Sequence, residues 1–259
     1  MQAPLNYLYG YPERAVPVMC LLFSLVVALW SGSVWAGTAT ALVTLGVWRV
    51  ASAYLVIQDD RLGRLKLRCP DPFVWLTFDD GPGPQTLDIV RTLNRYEFTA
   101  TFFFIGEQLE SYPRRNELVE ALLEGGHSVA NHSFTHPNFL KQTASEARRQ
   151  LEHTHALLEG VFGDRALAMF RPPFGYRKAS TFEQASALDL ELVGWSVNSL
   201  DFMDEPPESI LARLKKQIRS GSIVLFHDGR DKREVTLATL PDLLKWLKAS
   251  GYQAYNPLL

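Results

Sequence analysis

The sequence predicts an α/β fold: a small, distorted (β/α) barrel of about seven parallel strands, preceded by an N-terminal membrane segment. Three observations carry this reading. From Phe73 onward, short apolar runs alternate with amphipathic stretches, as expected of βα units laid onto a parallel sheet. Reactive polar residues fall where those apolar runs end, and the carboxyl ends of barrel strands converge on one face. Ahead of all this, residues 15–48 include no charged side chain, a stretch longer than a buried core helix needs.

One unbroken helix over residues 15–48 would be about 50 Å long, against about 30 Å of hydrocarbon in a bilayer. Ser31-Gly32-Ser33 lies near the middle and can turn a helical hairpin, with arms over 15–30 and 34–57. Arg14 flanks one outer end, and Arg49, Arg61, Arg64, Lys66 and Arg68 follow the other, while the turn carries no base. Basic flanks tend to stay in the cytoplasm, which places the folded domain on that side. The competing topology is a single span over 16–36 with the domain outside. A cleaved secretory signal ending near Val34-Trp35-Ala36 is the third reading, and the further apolar stretches 41–48 and 51–57 argue against it. Residues 1–57 thus read as a membrane anchor, 58–72 as a polar linker and 73–259 as the folded domain.

Within that domain, strands are expected over 73–78, 99–105, 128–130, 166–170, 190–197, 222–226 and 252–255, each a short apolar run. Helices are expected over 86–96, 116–123, 143–158, 180–188, 207–219 and 237–249. The segment 143–158 combines helical spacing with many charges, and 207–219 opens with proline in its first turn, where the missing N–H costs nothing.

Composition excludes some functions. The 259 residues carry a formal charge of −2, and no basic face is visible of the kind nucleic acid requires. The two cysteines, Cys20 in the apolar stretch and Cys69 ahead of the first strand, do not suit a mutual disulfide and cannot make a thiolate metal site.

Asp79 and Asp80 end the first predicted strand, and His132 and His136 follow the third. Arg171 comes after the fourth, Asp201 after the fifth and His227 after the sixth. At one end of a barrel these become a single candidate site. Two imidazoles and one carboxylate bind a metal while leaving positions open for water and substrate. His132 and His136 are four apart, so a helix or tight turn puts both rings on one face. Asp79 and Asp80 are adjacent and would point to opposite faces of a strand. At the entry to the Gly81-Pro82 turn both can reach the cavity, one toward a metal and the other toward the attacking water.

Four runs carry a more specific signal: Thr77-Phe78-Asp79-Asp80-Gly81-Pro82, His132-Ser133-Phe134-Thr135-His136-Pro137, Arg171-Pro172-Pro173-Phe174-Gly175 and Ile223-Val224-Leu225-Phe226-His227-Asp228. In order and spacing the chain over 73–259 resembles the polysaccharide deacetylase family, the NodB-homology group of carbohydrate esterases. The resemblance implies that Asp80, His132 and His136 hold a divalent metal, zinc by preference, with cobalt, nickel or manganese as substitutes. It implies Asp79 as general base, His227 as general acid and the backbone amide of Phe174 as the oxyanion donor. Pro172 and Pro173 have no N–H, so Phe174 offers the first such donor after Arg171. A family pattern of the type Trp-x-x-Asp-x-x-Asp-Trp is matched imperfectly by Trp195 to Phe202. There Asp201 answers the second aspartate, which in the family pairs with the motif arginine, here Arg171, and orients the base. Asn198 replaces the first aspartate and Phe202 the tryptophan, departures that bear on substrate identity. Leu225 is implied to line the acyl pocket, with Trp195 in the pocket wall or the core.

The roles make physical sense. A bound metal polarises an amide carbonyl and brings water toward a pKa of about 7, a carboxylate takes the proton, and an imidazole suits protonation of a poor amine leaving group. The expected activity is removal of the N-acetyl group from an amino sugar in a polysaccharide or lipid-linked glycan, with that glycan and the membrane as partners. A deformylase or O-deacetylase would use the same residues. A non-catalytic glycan-binding protein would be expected to have lost a ligand, the base or the acid, and none is missing.

Overall fold

A computed structural model describes residues 65–203, 205–230 and 233–258. The membrane anchor expected over 1–57 lies outside the described residues. Among the described residues, no helix is long and apolar enough to cross a membrane.

The chain runs through β1 (Leu65–Lys66), β2 (Phe73–Asp79), α1 (Thr86–Arg95), β3 (Ala100–Phe104), α2 (Gly106–Ser111), α3 (Arg115–Glu124) and β4 (Ser128–Asn131). It continues through α4 (Ala144–Phe162), β5 (Ala166–Phe170), α5 (Ala179–Ser186), β6 (Glu191–Val193) and β7 (Val197–Asn198). The last elements are α6 (Pro207–Gln217), β8 (Ile223–His227), α7 (Glu234–Ala249) and β9 (Gln253–Ala254). The strands form one nine-stranded sheet, ordered β1-β6-β5-β4-β3-β2-β8-β7, with β9 added to β2. All of these pairings are parallel. Among the described residues no ladder joins β1 to β7, so the sheet curls into a barrel that is left open there.

Two departures from the sequence reading matter. Leu65–Lys66, within the segment read as linker, is a strand that pairs with β6. The stretch 190–197, read as one strand, is two strands at opposite ends of the sheet order. The chain leaves the sheet at Gly194, whose N–H donates to the Lys66 carbonyl at 2.8 Å, and rejoins it beside β8. A side chain at Gly194 would press into the side chains of Leu65 and Leu67.

Alternation along the strands sorts the layers. Val74, Leu76 and Phe78 of β2 pack with Phe102 and Phe104 of β3 and Phe226 of β8 against the helices. Phe78 stacks on Phe102 and Phe226, with ring centroids 5.0 and 5.5 Å apart. Each fully buried aromatic of this layer contributes about 1.5–3 kcal/mol. The opposite face of the same strands lines the barrel and is partly polar: Trp75 donates to Thr101 at 2.8 Å, and Thr101 bonds Ser128 at 2.7 Å. Asp79 continues the inward series Trp75, Thr77, Asp79 to the open end of the barrel.

Candidate active site

A cavity of about 400 Å³ at the carboxyl ends of the strands is lined by Asp79, Asp80, His132, His136, Leu225 and His227. Phe174, Trp195, Asn198, Phe202, Arg230 and Arg233 complete its walls, together with Gly175. Of the residues singled out in the sequence, Asp79, Asp80, His132, His136, Phe174, Trp195, Leu225 and His227 line this cavity, while Arg171 and Asp201 stand behind it.

Asp80 leaves the strand with a positive φ of 74°, which turns its side chain away from the alternation and toward the two histidines. Its Oδ1 lies 2.9 Å from His136 Nε2 and 3.4 Å from His132 Nε2. The histidines sit on a tight loop, with Ser133 and His136 both at positive φ. His132 Nδ1 faces the Arg171 carbonyl at 2.7 Å, which fixes the proton on Nδ1 and leaves the Nε2 lone pair for the cluster. Asp80, His132 and His136 each offer one ligand atom, all within 4.8 Å of one another. This donor set fits a divalent cation of the zinc type. Burial works against a charge on Asp80, yet the two imidazoles of His132 and His136 beside it outweigh that and hold the carboxyl well below its usual range.

Asp79 stands beside this cluster, its Oδ2 3.8 Å from His132 Nε2. Its other oxygen accepts from Arg171 at 2.7 Å. Arg171 is fully buried and spends its donors on Asp79, on Thr77 Oγ1 at 2.8 Å, and on the Val193 and Gly194 carbonyls at 3.3 and 2.8 Å. Its guanidinium also lies 4.1 Å from the Phe103 ring.

The expected Arg171–Asp201 pair is not formed. Asp201 follows β7, on the far side of the barrel opening, and binds His227 instead. Its Oδ1 accepts from His227 Nδ1 at 2.7 Å, and its Oδ2 accepts from the His227 N–H at 2.9 Å and from Thr236 at 2.6 Å. Burial alone would lower the His227 pKa, but the Asp201 charge and hydrogen bond offset this and leave it raised. Asp201 thus orients the imidazole, and among the described residues the side-chain hydrogen bond that orients Asp79 comes from Arg171.

Phe174 sits at φ 59° in the Pro173–Gly175 turn, with its ring half exposed and edge-on to His136 at 4.6 Å. Phe202, also half exposed, stands edge-on to His227 at 5.5 Å. Asn198 accepts from the Leu200 N–H at 2.9 Å and so shapes the turn that leads to Asp201. Leu225 is buried in the cavity floor, and Trp195 is a half-buried wall.

Several supporting residues have no role in the sequence reading. Asp228 is fully buried, its carboxyl bonded to Thr86 at 2.6 Å. Burial, with the charges of Asp80 and Asp79, pushes its pKa up to about 8. A side chain at Gly81 would overlap this carboxyl, so the Asp79-Asp80-Gly81 turn packs directly on it. Asn131 accepts from the Ser133 N–H at 2.8 Å. Gln150 of α4 accepts from the Phe134 and Thr135 N–H groups, both at 2.8 Å, and donates to Thr135 Oγ1 at 2.9 Å. Gln150 therefore holds the loop between the two histidines. If Asp80, His132 and His136 hold a divalent cation, Gln150→Leu is expected to weaken its binding by about 10- to 100-fold with the fold intact, measured by competition with a chromogenic chelator. Unchanged affinity would assign Gln150 to the helix alone.

The sequence pattern of the polysaccharide deacetylase family matches residues 66–193. A chitooligosaccharide deacetylase of Azorhizobium caulinodans is 31% identical over 71% of this chain and 92% of its own length. A peptidoglycan-N-acetylglucosamine deacetylase of Bacillus cereus is 34% identical over 71% and 85%. Among solved structures, a family 4 carbohydrate esterase from Streptomyces lividans, in complex with acetate, superposes with a TM-score of 0.65 and 28% identity, covering 73% of this chain and 94% of that one. The fold and site define a carbohydrate esterase-type hydrolase scaffold. The chain belongs to the polysaccharide deacetylase family.

Proposed function

We propose that this protein removes the N-acetyl group from an amino sugar of a polysaccharide or lipid-linked glycan, with a divalent metal, zinc by preference, held by Asp80, His132 and His136. The observation that carries the reading is the grouping of that donor set in one cavity with Asp79 on one side and the Asp201-backed His227 on the other. When bound, the metal supplies Lewis-acid polarisation of the acyl carbonyl and acidifies water. Asp79, fixed by Arg171, takes the proton as the water oxygen bonds to the acyl carbon. The Phe174 N–H is the backbone donor assigned to the developing oxyanion. His227, held by Asp201 with its Nε2 toward the cavity, gives a proton to the sugar nitrogen as the C–N bond breaks. Free amine and acetate are the products.

The aromatic walls Phe174, Trp195 and Phe202 offer apolar faces to sugar rings. We also place the anchor of residues 1–57 in the membrane, with the domain on the cytoplasmic side, within reach of a lipid-linked precursor. The test is amine release by purified, zinc-loaded protein from acetylated glycans, polymeric and polyprenyl-linked. Release from neither class overturns the reading. Digestion of the domain by protease added to intact spheroplasts would overturn the cytoplasmic placement.

A further inference from the structure

Two arginines line the cavity, and their situations differ. Arg233 is buried, donates to the Gly229 carbonyl at 3.2 Å and lies 3.9 Å from Asp80, so its charge already has a partner. Arg230 is exposed at the rim. Its Nη1 lies 2.9 Å from His136 Nδ1, and among the described residues it has no carboxylate partner.

That contact cannot survive metal loading. A guanidinium only donates, so in this arrangement it needs a lone pair on His136 Nδ1. The Nε2 atom faces Asp80 and the rest of the donor set. An imidazole that gives its Nε2 lone pair to a metal carries its proton on Nδ1. Two donors then face each other, and Arg230 must release His136. In the loaded protein it becomes an exposed cation at the mouth of the cavity, whereas Arg233 is buried beside Asp80. Asp79 pairs with Arg171 and Asp201 with His227, while Asp80 has the metal.

We propose that Arg230 is a specificity-determining residue that binds an anionic substituent, a carboxylate or a phosphate, on the same amino sugar whose acyl group is removed. This rests on the deacetylase reading above and narrows its substrate class. The placement fits: an arginine able to reach the outer nitrogen of a ligand imidazole lines the same cavity as the donor set once it has let that ring go. Phe174 and Phe202, half exposed in the same cavity, offer a sugar ring apolar surface while the guanidinium takes the charge. A planar fork of donors suits either oxyacid.

The experiment compares wild type with Arg230→Gln, both zinc-loaded, on three acetylated probes: neutral chitotetraose, a muramic-acid-type glycan bearing a 3-O-lactyl carboxylate, and N-acetylglucosamine 1-phosphate. The wild type is expected to favour at least one anionic probe. Arg230→Gln should lower kcat/KM on that probe by about 10- to 100-fold, as loss of a charged hydrogen bond does, mostly through KM. Chitotetraose should change far less. Preference for the lactyl probe names a carboxylate, and preference for the phosphate names a sugar phosphate. A second readout needs no turnover: calorimetry with muramic acid and glucosamine should show Arg230→Gln weakening only the anionic ligand. Equal wild-type rates on neutral and anionic probes, or equal losses on all three in the variant, overturn the proposal while leaving the deacetylase reading intact. No amine release from any probe sinks both.

Discussion

Asp80→Ala, His132→Ala and His136→Ala are each expected to lose zinc and to bring amine release down to the level of the uncatalysed control. The three donor atoms lie within 4.8 Å of one another, and two of them cannot make a site that keeps a metal through gel filtration. The fold should survive in each case, since the hydrophobic layer of Phe78, Phe102 and Phe226 is on the other face of the sheet. His132→Ala also removes the hydrogen bond to the Arg171 carbonyl, so it should show the largest loss of stability of the two histidine variants, about 1–3 kcal/mol for an unsatisfied buried acceptor. Metal content by atomic emission, set beside circular dichroism, separates these effects. A variant that kept a full equivalent of zinc and wild-type turnover would remove the basis for the site.

The family, the parallel α/β fold and the residues that line the cavity are legible in the sequence because each rests on local pattern. Asp79 and Asp80 at a strand end, the spaced histidines and the run Ile223 to Asp228 can be read without knowing the sheet order. All seven strands and all six helices expected from periodicity have counterparts. What escaped was set by tertiary contacts. Leu65–Lys66 is too short to read as a strand, and only its pairing with β6 makes it one. The stretch 190–197 is apolar throughout except Glu191 and Ser196, so nothing local shows that Gly194 carries it across the barrel opening. The pairing of Asp201 with Arg171 rests on family resemblance rather than on that strand, and the crossing at Gly194 delivers Asp201 beside β8 and His227 instead. Gln150 and Thr236 lie on amphipathic helices, where a polar side chain on the inner face looks like any other.

The Asp201–His227 pair makes the second large effect, and it is separable from metal binding. His227→Ala should retain zinc, because His227 lies outside the donor set, and should lose about 10²- to 10⁴-fold in turnover. Asp201→Asn tests why. Burial opposes the imidazolium, and the Asp201 charge and hydrogen bond more than offset it, so the folded pKa of His227 is raised. The acid form therefore persists to higher pH than in a free histidine, and activity falls as pH rises through the raised value. Asn keeps the shape but removes the charge, so the basic limb of the pH profile of kcat/KM should move to lower pH. Stability follows the same sign. A raised folded pKa contributes stability that is fully present below the unfolded value and is lost as pH rises through the folded one. Asp201→Asn should abolish that loss and flatten the stability profile across this window. The pairing of Asp201 with Arg171 implied by family resemblance makes the opposite prediction, because there the substitution would disturb Asp79 and shift the acidic limb. A pH profile of Asp201→Asn in which only the acidic limb moves would return Asp201 to Arg171 and overturn the assignment to His227.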